Sequence, residues 1–203
     1  MNYLAHLYFA APTADSRVGN LMGDFARGRI NPDWPIALKE GVWLHRKIDV
    51  YTDSHADVLI AKSRFSAERR RIAGIIIDIA FDHFLCRHWS NYSKQPLAQF
   101  INDIYRDLSR YQGYLPEKMV RPLAMLVQQD WLSVYASVEG ISLTLDRVSR
   151  RFIRPTNLFG SGEELRLHYD LLEQDFLRFF PDLVAHVDAL KQSTAGDHGG
   201  FGS

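Results

Sequence analysis

The chain has 203 residues, of which 46% are hydrophobic and 24% are charged, as in an ordinary globular protein. Its 24 Lys and Arg residues balance its 24 Asp and Glu residues, which argues against bulk binding of nucleic acid or of a membrane surface. The single cysteine, Cys86, excludes an internal disulfide framework, and with no membrane-length apolar run and no secretory signal pattern we expect a soluble, cytoplasmic protein.

Helical periodicity dominates the chain, and strand signals are scarce. Apolar residues recur at helical spacing in 36–51, 66–90, 97–111, 117–135, 139–153 and 163–190. Ser66 is a candidate N-cap, and Pro122 suits a first turn, so its helix is expected to begin near Arg121. Pro181 is expected to kink or break the last helix.

These segments predict an all-α protein, a compact bundle of six to eight helices. We expect a single helical domain over residues 1–192. The remaining residues, 193–203, are expected to form a flexible glycine-rich tail, because the chain ends in GDHGGFGS.

Two polar residues near the N-terminus are candidates for a functional site. His6 lies in the apolar run YLAHLYF, where a histidine is either a satisfied core residue or a ligand. Asp24 follows the glycines of GNLMGD, which permit a close backbone approach. Asp24 is therefore either an ordinary residue at a helix end or part of a pocket rim.

The segment HRKIDVYTDSH places His45, Asp49 and Asp53 at successive four-residue steps. All three share one side of a helix that continues that far. The apolar residues among them indicate that this helix packs against another element. Its polar side is either a solvated face or the wall of a polar cavity.

Asp78, Asp82 and His83 are the strongly polar residues of the apolar segment IAGIIIDIAFDHFLC. Such a helix should be buried, and a buried carboxylate needs a partner such as arginine, histidine or a metal ion. The alternatives are a structural ion pair and a polar cavity that contains Asp82 and His83.

Histidine and aspartate ligands without cysteine are typical of sites for Mn²⁺, Mg²⁺ or Fe²⁺. Such a cation lowers the pKa of a bound water and stabilises a phosphoryl transition state. The sequence contains no Walker loop, no nucleophile elbow and no HExxH helix. The apolar neighbours of Cys86 argue against a nucleophilic thiol.

Four blocks in order resemble the acyl carrier protein phosphodiesterase family: MNYLAHLYFA at 1–10, GNLMGDFARG at 19–28, HRKIDVYTD at 45–53 and DIAFDHFLCRHW at 78–89. The resemblance runs from Met1 to about Val187. It implies an HD-domain-like fold and an Mn²⁺-dependent hydrolase of lipid metabolism, associated with fatty acid biosynthesis. It further implies that the enzyme removes 4′-phosphopantetheine from holo-acyl carrier protein to give apo-acyl carrier protein.

The resemblance also implies a ligand set. The leading metal ligands are Asp24, His45, Asp82 and His83, with His6, Asp53 and Asp78 as a second tier. The expected catalytic residues are Asp24, His45, Arg46, Asp49, Asp82 and His83. Arg46 is expected either to bind phosphate or to pair with an aspartate, and His45 or His83 acts as the general acid if it is not a ligand. The Asp82-His83 pair reverses the order of the HD motif, so the standard HD register does not apply directly.

The carrier protein implied by the resemblance is acidic, which predicts a locally basic docking surface. Two groups of arginines qualify: Arg64, Arg69, Arg70 and Arg71, and Arg147, Arg150, Arg151 and Arg154. Each group is either a docking surface or a solvated helix face.

Two other functions are open at this point. One is hydrolysis of a nucleotide or another small phosphodiester by the same site. The other is a non-catalytic helical module that binds carrier protein. Neither nucleic acid nor a membrane is expected as a partner, and the sequence does not predict the oligomeric state.

Overall fold

The computed structural model describes residues 1–150 and 157–196, and these residues are helical throughout apart from turns and loops. In the described ranges the α-helices are α1 (Tyr3–Phe9), α2 (Ala14–Met22), α3 (Ile36–Ser54), α4 (Ala56–Ser63), α5 (Ala73–Arg87), α6 (Trp89–Tyr92), α7 (Leu97–Ser109), α8 (Glu117–Gln128), α9 (Trp131–Val134), α10 (Val138–Ser149), α11 (Gly162–Leu167) and α12 (Tyr169–Gly196). Eight of these twelve helices have eight residues or more. The predicted all-α bundle is therefore confirmed, and the additional helices are short ones.

Two predicted helix starts are wrong. Ser66 does not cap a helix, because its carbonyl closes a turn with the N–H groups of Arg69 and Arg70, and α5 begins only at Ala73 after a 3₁₀ turn. The helix that contains Pro122 begins at Glu117, where the periodic segment 117–135 starts, rather than near Arg121, as Pro122 suggests. Its extra turn is stabilised by Met119, which is buried.

Two long predicted helices are each divided in two. The segment 117–135 forms α8 and α9, because Asp130 between them adopts a left-handed backbone with φ of 48°. The segment 163–190 forms α11 and α12, which separate at His168. Residues 151–156, into which the predicted helix 139–153 extends, lie outside the described residues.

The last helix runs through Pro181 without the break that was one of the two predicted outcomes, and a kink stays a prediction. The side chains of Phe179, Phe180 and Leu183 beside this proline are buried, so core packing holds both halves of α12 in place. The helix continues to Gly196, past the predicted domain boundary at residue 192. Residues 197–203 of the predicted tail lie outside the described residues.

The apolar helix α5 lies at the centre of the fold, as its composition predicts. It packs against α1, α4, α10 and α12. Phe81 and Phe84 are fully buried and contact Phe176 of α12 at ring-centroid distances of 5.5 and 6.0 Å. Among the described residues, no helix combines the length and the apolar character needed to cross a bilayer.

Helices α2 and α3 touch through their backbones. A Cβ atom added at Gly19 would lie 2.4 Å from the carbonyl oxygen of Leu38, and one added at Gly41 would lie 2.7 Å from that of Ser16. Neither position has room for a side chain, so the glycines allow this approach. The contact fixes the position of α3 relative to the loop that follows α2.

A single buried carboxylate attaches α1 to α5. Asp82 accepts hydrogen bonds from the backbone N–H groups of Leu4 at 2.7 Å and Ala5 at 3.2 Å. These N–H groups belong to the first turn of α1, where no helical acceptor is available. Burial raises the pKa of Asp82 to about 7, although the two N–H donors act in the opposite direction. The partner that the buried carboxylate of Asp82 requires is therefore the N-terminal end of α1.

Replacing Asp82 with Ala should destabilise the protein. The change leaves the N–H groups of Leu4 and Ala5 buried without an acceptor, so we expect the free energy of unfolding to fall by about 1–3 kcal/mol. Urea denaturation near pH 7 measures the difference. Asp53→Ala is the control, because Asp53 is exposed and should change stability by less than about 0.5 kcal/mol. Equal stability of the two variants would contradict the role given to Asp82.

Candidate metal centre and adjoining cleft

Two histidines and one aspartate converge where α1 meets α3. His6, His45 and Asp49 each offer one ligand atom, and these atoms lie within 4.8 Å of one another. Nε2 of His45 is 3.0 Å from Oδ2 of Asp49, and Nε2 of His6 is 3.2 Å from Oδ1 of Asp49. The two imidazole rings are stacked with their centroids 3.9 Å apart. Both histidines are buried, whereas the Asp49 side chain is 39% exposed.

Asp24 extends this cluster toward solvent. Its Oδ1 lies 3.5 Å from Nε2 of His45, and its side chain is 54% exposed. The amino group of Met1 lies on the other side, 3.8 Å from Oδ1 of Asp49 and 3.0 Å from Oδ1 of Asp78. The amino group of Met1 therefore covers one side of the cluster, and the other side is open to solvent at Asp24.

Gly23 makes room for the ring of His45. A Cβ atom added at Gly23 would lie 2.1 Å from Cγ and Cδ2 of that ring. The backbone of Gly23 has an ordinary helical φ of −52°, so what its position requires is space rather than an unusual conformation. The GNLMGD block therefore supplies both the α2–α3 contact, through Gly19, and the space for a site histidine.

Charge is distributed unevenly over the cluster. Burial lowers the pKa of His6 to about 4, so this ring is neutral near pH 7. Burial also acts against the protonated form of His45, but the carboxylates of Asp24 and Asp49 raise its pKa to about 9. Burial opposes ionisation of Asp49, and the two histidines nevertheless hold its pKa well below the usual range. Without a metal ion, the proton on His45 balances the carboxylates.

The donor atoms fit a divalent cation. Within the described part of the chain, both ring nitrogens of His6 and Nδ1 of His45 are buried without a hydrogen-bond partner, although Nε2 of His6 is close to Asp49. A buried polar atom without a partner costs about 1–3 kcal/mol. Two imidazoles and a carboxylate, with Asp24 beside them, are ligands that Mn²⁺ and Fe²⁺ accept. The residues present can therefore hold the ion that the resemblance implies.

The structure gives Asp82 and His83 other partners. Both oxygens of Asp82 bind the backbone of α1. The ring nitrogens of His83 lie 2.7 Å from the carbonyl oxygen of Tyr135 and 2.7 Å from the hydroxyl of Tyr169. Neighbouring residues of a helix point about 100° apart, so these two side chains face different elements. Their assignment as metal ligands stays a prediction that this geometry does not favour.

Two more predicted residues make no direct contact with the cluster: Asp53 lies away from it, and Arg46 contacts the loop that carries Asp24. Asp53 is 73% exposed and pairs with Lys62 at 2.7 Å. Arg46 donates a hydrogen bond of 2.5 Å to the carbonyl oxygen of Ala26, in the turn that carries Asp24, instead of pairing with an aspartate. Arg46 therefore supports the loop at the open side of the site.

A cleft of about 360 Å³ adjoins the cluster. Asp24 and Met1 belong to its wall and also contact the cluster, so cleft and cluster are continuous. Its apolar walls come from α5, α9, α10 and the adjoining turns, and they include Ile75, Ile79, Trp131, Val134, Tyr135 and Val148. Asp78 and Arg147 are charged residues of the same cleft. A ligand in this cleft would reach the cluster at Asp24.

The predicted docking arginines differ in what they contact. Arg64 forms two hydrogen bonds with the buried carboxylate of Asp175, at 2.6 and 2.9 Å. Arg69 pairs with Glu164 at 2.7 Å. Both are therefore engaged in holding α11 or α12 against the segment between α4 and α5.

The other arginines are exposed where they are described. The side chains of Arg70 and Arg71 are exposed and have no ion-pair partner within residues 1–150 and 157–196. Arg147 and Arg150 are exposed near the end of α10. Arg151 and Arg154 lie outside the described residues. A docking role for any of these arginines stays a prediction.

Comparison with known proteins identifies similar sequences over nearly the whole chain. The profile of a family described as acyl carrier protein phosphodiesterase matches residues 1–183. A protein of that name from Klebsiella pneumoniae subsp. pneumoniae is 37% identical over 185 residues, covering 91% of this chain and 96% of the relative. Proteins of the same name from an Enterobacter species and from Salmonella agona are 36% identical over 188 residues, covering 92% of this chain and 97% of each relative.

The comparison with solved structures found no significant match. The HD-domain-like character of the fold therefore stays a prediction, whereas the all-α class is established by the structure.

Replacing Gly23 with Ala should disrupt the candidate cation site and leave the fold intact. The added methyl group would overlap the His45 ring, so that ring must move away from Asp49. We expect Mn²⁺ affinity, measured by calorimetry, to fall by about tenfold or more. Gly74→Ala is the matched control, since a methyl group there meets only ordinary contacts at 3.7 Å. Unchanged affinity in Gly23→Ala would show that His45 does not bind the ion.

Proposed function

The chain belongs to the acyl carrier protein phosphodiesterase family, and we propose that it hydrolyses the phosphodiester bond that joins 4′-phosphopantetheine to a serine of holo-acyl carrier protein. The products are apo-acyl carrier protein and free 4′-phosphopantetheine. The observation that carries the proposal is the convergence of His6, His45 and Asp49, three residues of blocks that resemble this family, into one cluster at the edge of a cleft.

We propose that His6, His45 and Asp49 hold the metal ion and that Asp24 completes the site. Mn²⁺ is the proposed ion, with Mg²⁺ and Fe²⁺ as alternatives. When bound, the ion supplies positive charge to the phosphoryl oxygens and lowers the pKa of water. His45 must release its proton to become a ligand, which Asp24 and Asp49 oppose only while the ion is absent.

Of the carboxylates in the site, Asp24 is the one that a substrate in the cleft would meet first. It is half exposed, lies beside His45 and lines the cleft. In this position it can accept the proton of a water that attacks phosphorus. The bond between phosphorus and the carrier-protein serine oxygen then breaks, and that oxygen takes up a proton from solvent. Arg46 holds the carbonyl oxygen of Ala26, two residues beyond, and so fixes the turn from which Asp24 projects.

Asp82 contributes to the reaction through His6. Its carboxylate holds the N–H groups of Leu4 and Ala5, directly before this ligand. His83 is bound to Tyr135 and Tyr169 and has no free ring nitrogen for proton transfer. We propose a positioning role for Asp82 and a structural role for His83.

The two other functions considered are less well supported. Hydrolysis of a small phosphodiester would use the same cluster, but the similar proteins are named for acyl carrier protein. A non-catalytic binding module has no use for buried histidines without hydrogen-bond partners. A cytoplasmic location and a place in fatty acid metabolism follow from the proposed substrate and belong to the proposal.

Incubation with holo-acyl carrier protein tests the activity directly. Intact-mass measurement should show loss of the phosphopantetheine group with Mn²⁺ and no loss after chelation. His6→Ala and Asp49→Ala should each lower kcat/KM by about 100-fold or more, because each removes a proposed ligand. Asp53→Ala is the control, since Asp53 lies on the same helix but pairs with Lys62. Full activity in chelator would contradict the metal-dependent mechanism.

Charge reversal at Arg70 and Arg71 tests the docking surface. Both side chains are exposed, so Arg70→Glu with Arg71→Glu should weaken encounter with an acidic carrier protein and raise KM by about tenfold at low salt. Mn²⁺ binding should not change. Arg150→Glu serves as the comparison on the other basic group. An unaltered KM in the double variant would remove Arg70 and Arg71 from the docking surface.

A further inference from the structure

We infer that the cleft beside the cluster holds the pantetheine arm of the substrate, an inference that rests on the proposed function. The arm is the neutral part of the prosthetic group, beyond the phosphate. If the phosphodiester lies at the cluster, the arm must leave it along an adjoining surface. The cleft is continuous with the cluster through Asp24 and Met1.

The size of the cleft suits a single small ligand. Its volume of about 360 Å³ lies at the lower end of the range of small-molecule pockets, which is about 300–1,000 Å³. A folded carrier protein would instead need an extended docking surface, which a cleft of this size does not provide. The cleft therefore fits a chain-like group that enters it, while the carrier protein stays outside.

The apolar and neutral polar residues of the cleft match the arm, and its charged residues are Asp24, Asp78 and Arg147. Pantetheine carries a dimethyl-substituted carbon, amide groups, a hydroxyl and a terminal thiol, and it bears no charge near neutral pH. Ile75, Val134 and Val148 offer apolar surface to the dimethyl group. Asn2 and Gln129 are neutral hydrogen-bonding residues of the cleft, suited to the amides.

The segment that forms one wall is held in a strained shape. Asp130 has a left-handed backbone, and its Oδ1 accepts a hydrogen bond of 2.8 Å from the hydroxyl of Tyr105. The same hydroxyl accepts from the N–H group of Leu132 at 2.9 Å. These bonds orient α9, so that Trp131 and Val134 face the cleft. A non-glycine residue in this conformation persists only where its surroundings enforce it.

Filling the cleft from α10 tests the inference. Val148 lines the cleft, whereas Leu143 lies on the same helix, is 56% exposed and is not part of the cleft wall. The probe is pantetheine without the phosphate, titrated by calorimetry into the full chain, so the readout needs neither turnover nor a metal ion. Val148→Trp should lower the affinity for pantetheine by about tenfold or more, and Leu143→Trp should leave it unchanged.

Further measurements separate this inference from the proposed function. Thr144→Trp fills the same cleft one turn earlier and replaces Val148→Trp if that variant does not fold. With holo-acyl carrier protein, the cleft-filling variant should raise KM about tenfold while binding Mn²⁺ normally. Cleavage by the wild type together with unchanged pantetheine affinity and KM in the folded cleft-filling variant would overturn the inference and leave the function intact. Absence of cleavage by the metal-loaded wild type would instead overturn the function, and tenfold weaker pantetheine binding in the variant would still support the arm site.

Discussion

The bond between the Asp82 carboxylate and the first turn of α1 is the interaction on which the site depends. Helix α1 has seven residues, too few to be stable alone, so its position is set by what it contacts. Asp82 binds the N–H groups directly before His6 and thereby holds that ring over His45. A carboxylate in an apolar helix is costly, and its retention here is explained by the helix end that it binds.

The second constraint is space around His45. Gly19 and Gly41 bring α2 and α3 into backbone contact, and Gly23, having no side chain, leaves the space that the ring occupies. The ring is then enclosed by carboxylates on one side and by His6 on the other. When no metal ion is bound, the proton on His45 supplies the positive charge that the carboxylates of Asp24 and Asp49 share.

The sequence predicts the helices and part of the site. The four-residue spacing of His45 and Asp49 correctly places both side chains on one face of α3, whereas Asp53, one step further along, is exposed and pairs with Lys62. The sequence places His6 only in the second tier of ligands, because a histidine in an apolar segment is usually a core residue. The partner of Asp82 is not predictable for a more general reason: it is a pair of backbone N–H groups, and no residue type marks these in a sequence. The continuity of α12 through Pro181 likewise depends on core packing from distant helices.

The distance along the chain between the parts of the site has a consequence for folding. The bond between Leu4 and Asp82 joins residues 78 positions apart, so the loop that it closes contains most of the first half of the chain. Closing such a loop costs entropy that local helix formation does not recover. Helices can therefore form early on the folding pathway, while the cluster assembles only when α1 docks on α5. A cation that binds the finished cluster would slow unfolding and have little influence on the rate at which the chain folds.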